Sequence, residues 1–232
     1  MLLHPGWASA AVVFLNEFNG VSNGNFLNGG TALADNDGGL AGDITLGRVE
    51  GNGGDWFELV VAESDVDLRG AQLEIWVDGA LDTVLVLSQD LLWTQLQAGT
   101  IVTVSEDQPE DVSYDPASGD WWINVRADDG ATGSYITATS FPVNNEGWQL
   151  IVKDSGGTVI FGPAGEGAGG GDDVNSRETY RLEEDPSIFI EEDTPCYDDA
   201  DTYSSFGQPN VWSGGTKTQN FGPLRSGSAP TS

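Results

Sequence analysis

Gly53-Gly54-Asp55-Trp56-Phe57-Glu58-Leu59-Val60-Val61 decides the fold. In a strand, successive side chains point to opposite faces, so Trp56, Glu58 and Val60 oppose Phe57, Leu59 and Val61. Aromatic and β-branched residues dominate the run, and glycines before it mark a turn. Upstream, Val12-Val13-Phe14-Leu15-Asn16-Glu17-Phe18 has the same character and ends at the turn signal Asn19-Gly20. Downstream, Val66, Leu68 and Leu73 open a further apolar run around Gly70.

Strand-like runs then recur at 73–77, 84–87, 101–104, 121–125, 148–152 and 159–161. Asp78-Gly79 and Asp154-Ser155-Gly156-Gly157 are hairpin signals between neighbouring runs. Short strands separated by turns, with no helical periodicity, predict an all-β chain folded as a β-sandwich with Greek-key-like connections. Trp56 or Phe57, and one of Trp121 and Trp122, are expected in the core. Leu91-Leu92-Trp93 fits either a single helical turn or an edge.

Six motifs in order carry a resemblance. Leu15-Asn16-Glu17-Phe18, then Asp55-Trp56-Phe57-Glu58-Leu59, then Val66-Asp67-Leu68-Arg69-Gly70 resemble the lamin tail domain family. Leu96-Gln97-Ala98-Gly99 is similar to its "Leu-x-Ala-Gly" strand entry. The stretch Leu150 to Ile160 is similar to its late hairpin, and Ser205-Phe206-Gly207-Gln208-Pro209-Asn210 to its closing "Pro-Gly-x-Pro-Asn", with Phe206 in place of the first Pro. The resemblance implies an immunoglobulin-like sandwich over residues 12–212. Long acidic and Gly-rich loops depart from the family pattern.

Charge bounds the partners. Thirty-seven Asp and Glu face eight Lys and Arg, a formal net of −29. Such a surface repels phosphate backbones and anionic lipid heads, so direct nucleic-acid binding is not expected. No stretch is long and apolar enough to cross a membrane. Two accounts of the acids stand side by side: a diffuse solvated field, and affinity for Ca²⁺, which favours several oxygen ligands. Within the long 19–54 connection, Asp35-Asn36-Asp37-Gly38-Gly39 has closely spaced oxygens and turn-permitting glycines, making Asp35 and Asp37 the candidate Ca²⁺ ligands. The run lacks the full EF-hand spacing and its distal Glu, and turn punctuation accounts for it equally simply.

The flanks read differently from the middle. Residues 1–11 contain Ala8-Ser9-Ala10, a small-residue pattern that fits the remnant of a secretory signal or a structureless N-terminus. The Gly-rich stretch 163–173 has no Gly-Lys-Ser/Thr and is flanked by acids, which argues against phosphate cradling. Nine carboxylates fall between Glu183 and Asp201, interrupted by Ile188-Phe189-Ile190, an apolar triplet expected to pin the segment to the sandwich. Residues 213–232 are Gly/Ser/Pro-rich and acid-free, the composition of a disordered tail or linker.

Little catalytic chemistry is legible. His4 and Cys196 are the only His and Cys, which leaves no zinc set and no thiol–imidazole pair. No Gly-x-Ser-x-Gly elbow appears. Glu17 and Glu58 sit on expected strands, where pairing with Arg or a backbone group suits them better than catalysis. Adjacent Trp121 and Trp122 have the makings of a carbohydrate platform, although core packing and loop cover are the commoner fates. The expectation is therefore a non-catalytic, bacterial, secreted or cell-surface module contacting an extracellular protein or glycan. The alternative is an accessory domain or fragment of a secreted hydrolase, such as a nuclease or phosphatase.

Overall fold

The computed structural model describes residues 11–27, 42–127, 133–166, 174–190, 197–201, 203–212 and 216–227. The chain is mostly β. In order it forms β1 (Val13–Asn19), β2 (Trp56–Val61), β3 (Gln72–Val77), β4 (Ala80–Leu87), β5 (Ile101–Ser105) and β6 (Trp122–Arg126). These are followed by β7 (Ile136–Thr137), β8 (Trp148–Lys153), β9 (Val159–Gly165), β10 (Thr179–Leu182) and β11 (Tyr197–Asp201). Last come a short ribbon, β12 (Val211–Trp212) and β13 (Lys217–Thr218), and one helical turn, α1 (Gly222–Arg225).

Two sheets carry the fold, with strand orders β11-β10-β1-β2-β5-β6 and β7-β4-β3-β8-β9. Pairing is antiparallel except for β5 with β6, which run parallel. The first hairpin signal behaves as its residues require: Asp78 (φ 50°) and Gly79 (φ 75°) both take the left-handed conformation that a tight β3–β4 turn needs. Asp154 opens the β8–β9 turn, its Oδ1 accepting from the N–H groups of Gly156 (2.9 Å) and Thr158 (2.8 Å).

Aromatic side chains join the sheets. Phe18 and Phe57, neighbours on β1 and β2, meet Trp148 of β8 at ring-centroid distances of 4.5 and 5.6 Å. Trp56, Phe57 and Trp148 have no exposed surface. Each such side chain contributes on the order of 2 kcal/mol by leaving water.

The structure corrects the sequence reading in two places and refines it in two more. Neither Trp121 nor Trp122 is fully buried; both are partly buried, with Trp122 packed against the margin of the core, because β6 is the edge strand of its sheet. Leu91–Trp93 forms a 3₁₀ turn capped by Asp90, whose Oδ1 accepts from Leu92 N–H at 2.8 Å, and it buries Trp93. Most consequentially, residues 216–227 do not form a free tail. Lys217 and Thr218 pair with β12, and Phe221 and Leu224 are buried against the core, since Pro223 opens a turn that places both apolar side chains inward. The apolar triplet splits: Ile190 is buried, Ile188 packs at the core edge and Phe189 stays exposed.

Candidate functional site

The outer face of the six-stranded sheet is polar yet buried. Glu17 lies opposite Glu58 across the β1–β2 pair, and an irregularity between Leu15 and Glu17 turns Asn16 to the same side. Register adds Thr103 of β5 beside Glu58 and Arg181 of β10 beside Glu17. None of these side chains is exposed. Strands β1 and β2 are buried along their entire length because a second layer covers this face.

That layer is the segment 203–210 with Asp43 and Gln219. Ser205 N–H donates to Glu17 Oε2 (3.1 Å), Gly207 N–H to Glu58 Oε2, and Phe206 N–H to Asp43 Oδ2 (2.8 Å). Ser204 Oγ donates to the same Asp43 oxygen at 2.6 Å. Asn210 donates from Nδ2 to the carbonyls of Asn16 and Leu182, each at 3.0 Å, and Asn16 Nδ2 reaches Glu58 Oε1 at 3.1 Å. Gln219 closes the set, accepting from Asn210 N–H (2.9 Å) and donating to Asn16 Oδ1 (2.9 Å). Arg181 crosses the layer through Nη1 to Tyr203 O (3.0 Å) and Nη2 to Glu183 (2.9 Å).

Burial dominates the electrostatics here. It raises the Glu17 carboxyl well above the usual carboxylate range, reinforced by the nearby Glu58 and Asp43 and opposed by Arg181. Burial likewise lifts Glu58 to about 8, against the stabilising hydrogen bonds from Asn16 and Gly207. Glu17 Oε1 has no hydrogen-bond partner, while both oxygens of Glu58 accept. A proton therefore resides most cheaply on Glu17.

Beside this layer a cleft of about 270 Å³ opens to solvent, lined among others by Asp120, Trp121, Trp122, Gln208, Pro209 and Arg225. The closing segment builds its wall. Phe206 meets both Trp56 (5.3 Å, 79°) and Trp122 (5.7 Å, 83°) edge-on, and Trp122 Nε1 donates to Thr103 Oγ1 at 2.9 Å. Gly207 has φ 70° and lies so close to the Trp122 ring that a Cβ there would overlap it. Arg225 forms the far side. Its guanidinium carbon sits 4.8 Å from the Trp121 ring centre and 4.7 Å from that of Phe221, and its Nε and Nη2 donate to Gly99 O at 3.1 and 3.0 Å. Partial burial lowers the Arg225 pKa from its ordinary value.

No family model, curated protein or solved structure matches this chain.

The structure places the sequence-derived candidates unevenly. Glu17 and Glu58 come together, joined to the backbone as their strand positions suggest. Trp121 and Trp122 share the cleft. Asp35 and Asp37 lie outside the described residues, among which no group of three or more His, Cys, Asp or Glu is arranged to hold a metal ion. No helix among the described residues is long and apolar enough to cross a membrane. Sequence reasoning missed Asp43, Gln219 and Arg225. The pair Phe221 and Leu224, spaced three apart around Pro223, was the available sign that the last segment packs.

Proposed function

We propose that this chain is a non-catalytic, lamin-tail-like binding module with an immunoglobulin-like sandwich. It serves on the surface of, or outside, a bacterial cell, and its Trp121–Trp122 cleft contacts an extracellular protein or glycan. One observation carries the reading: Gly207 anchors to Glu58 through its N–H and sits so close to the Trp122 ring that a Cβ there would overlap it. The motif acids thus hold the wall of the cleft and do not face a substrate. The resemblance is supported by the meeting of its motifs in space, since Asn16, Glu17, Glu58, Gly207 and Asn210 come from three of them and share one hydrogen-bonded layer. Export is supported by the −29 charge, which suits a solvated extracellular surface, and by the resemblance.

The reading is tested by screening the protein, and its Trp121→Ala variant, on glycan and peptide arrays. Retained ligands that the variant loses are the expected result. Ligands held equally by both proteins would place binding elsewhere.

A further inference from the structure

Resting on the reading of the cleft as a binding site, we propose that its ligand is an acidic saccharide: a hexuronic acid ring whose carboxylate pairs with Arg225 while its apolar faces meet Trp121 and Trp122. The sign of the charge is the first reason. The molecule carries a formal net of −29, yet the cleft presents a half-buried guanidinium. Of the five guanidinium N–H groups, two reach Gly99 O and three remain, and no carboxylate of the described residues forms an ion pair with Arg225. Two aromatic rings and the Gly99 carbonyl fix its plane, so little side-chain freedom is lost when an anion docks. The acid of the cleft, Asp120, is held within its own loop: Oδ1 accepts from Trp122 N–H (3.3 Å), and Oδ2 lies 3.0 Å from Ser113 Oγ, whose single proton it shares with Asp111 Oδ1 (2.8 Å).

Size and lining give the rest. A volume of about 270 Å³ lies at the small end of ligand pockets and suits one ring in place of an extended chain. Indole walls and Pro209 match the apolar faces of a sugar, and the exposed Gln208 offers an amide to its hydroxyls. A peptide C-terminus is disfavoured because its capture relies on clustered backbone N–H groups. Here those of Gly119, Asp120, Trp122, Gly207 and Gln208 are all spent, on Pro116 O, Asp115 O, Asp120 Oδ1, Glu58 and Ser205 O.

The test is calorimetric and fluorescence titration of the intact chain with α-1,4-linked trigalacturonate, its methyl ester and a short peptide with a free C-terminus. The acid trimer should bind about tenfold or more tighter than the ester. Arg225→Gln should erase that preference. The ester comparison on the unmodified protein stands even where Arg225→Gln fails to fold. Equal binding of acid and ester, with both lost in Trp121→Ala, would overturn the acidic-ligand inference and leave the cleft as a binding site. Tighter binding of the peptide would overturn the inference in favour of a protein partner. Absence of trimer binding up to about 10 mM would overturn it outright.

Discussion

Glu17 and Glu58 stand directly opposite each other on adjacent antiparallel strands, on one face, and neither has any exposed surface. Like charges so placed repel, and two buried carboxylates of this kind do not both ionise in the folded state at neutral pH. The arrangement holds because backbone N–H groups of the closing segment satisfy one oxygen of each.

Stability should therefore depend on pH in an unusual direction. Both folded-state pKa values are raised, Glu58 to about 8, above the unfolded carboxyl value of roughly 4.3. The folded state keeps protons that the unfolded state has lost, so this contribution is full below about pH 4, falls as pH rises and is gone above the folded values. The slope approaches about 1.4 kcal/mol per pH unit for each group within that window. Denaturant melts from pH 5 to 9 should show the midpoint declining; a midpoint that rises with pH would contradict the assignment.

The two acids should respond differently to amidation. Glu17→Gln replaces a protonated carboxyl with a neutral isostere, keeping an acceptor for Ser205 N–H and placing the amide nitrogen where Oε1 has no partner. It should change stability by less than about 1 kcal/mol near pH 7 and flatten the pH dependence. Above about pH 8, where Glu58 is ionised, Glu58→Gln turns one of two accepting oxygens into a donor facing donors, at a cost of about 1–3 kcal/mol. Equal costs, read from melts of the two variants, would contradict the proton's placement.

Gly207→Ala should lose about 1–3 kcal/mol, because its φ of 70° disfavours a side chain and the new methyl meets the Trp122 ring. Near-ultraviolet circular dichroism should report the displaced indole. An unchanged spectrum and melting point would show that the closing segment packs differently.

How much of this was legible in the sequence follows from what each residue reports locally. Trp56–Val61 was readable to the residue, since aromatic and β-branched composition with a preceding glycine turn is a local signal. Its alternation was less informative than expected: both faces are buried, and the covering layer comes from residues far along the chain. Asp43, Gln219 and Arg225 were invisible for the same reason, as their roles arise only from long-range contacts. Composition misread residues 216–227, where Gly, Ser and Pro outweighed the two apolar side chains that dock the segment.

Leu224→Ala should expose that docking. Removing a buried leucine typically costs about 2–5 kcal/mol, and a peripheral turn belongs at the lower end. Because Arg225 follows directly and stacks on Trp121, indole fluorescence should shift as the turn loosens. A silent substitution would mean that the turn contributes nothing to the cleft.

Salt separates a diffuse field from a specific cation site. With 37 acids and eight basic residues, NaCl should raise the melting temperature, and CaCl₂ at matched ionic strength should raise it equally. An extra Ca²⁺ stabilisation of about 2.7 kcal/mol at a hundredfold excess over the dissociation constant would instead assign a site, with Asp35 and Asp37 the first residues to substitute.

The central claim is that binding resides in the Trp121–Trp122 cleft and that the buried acids serve to hold its wall. Parallel array binding by wild type, Glu17→Gln and Trp121→Ala tests it most directly, with each variant's fold verified by circular dichroism. The account predicts that Glu17→Gln keeps the wild-type ligands and Trp121→Ala loses them. Loss in Glu17→Gln with retention in Trp121→Ala would contradict it.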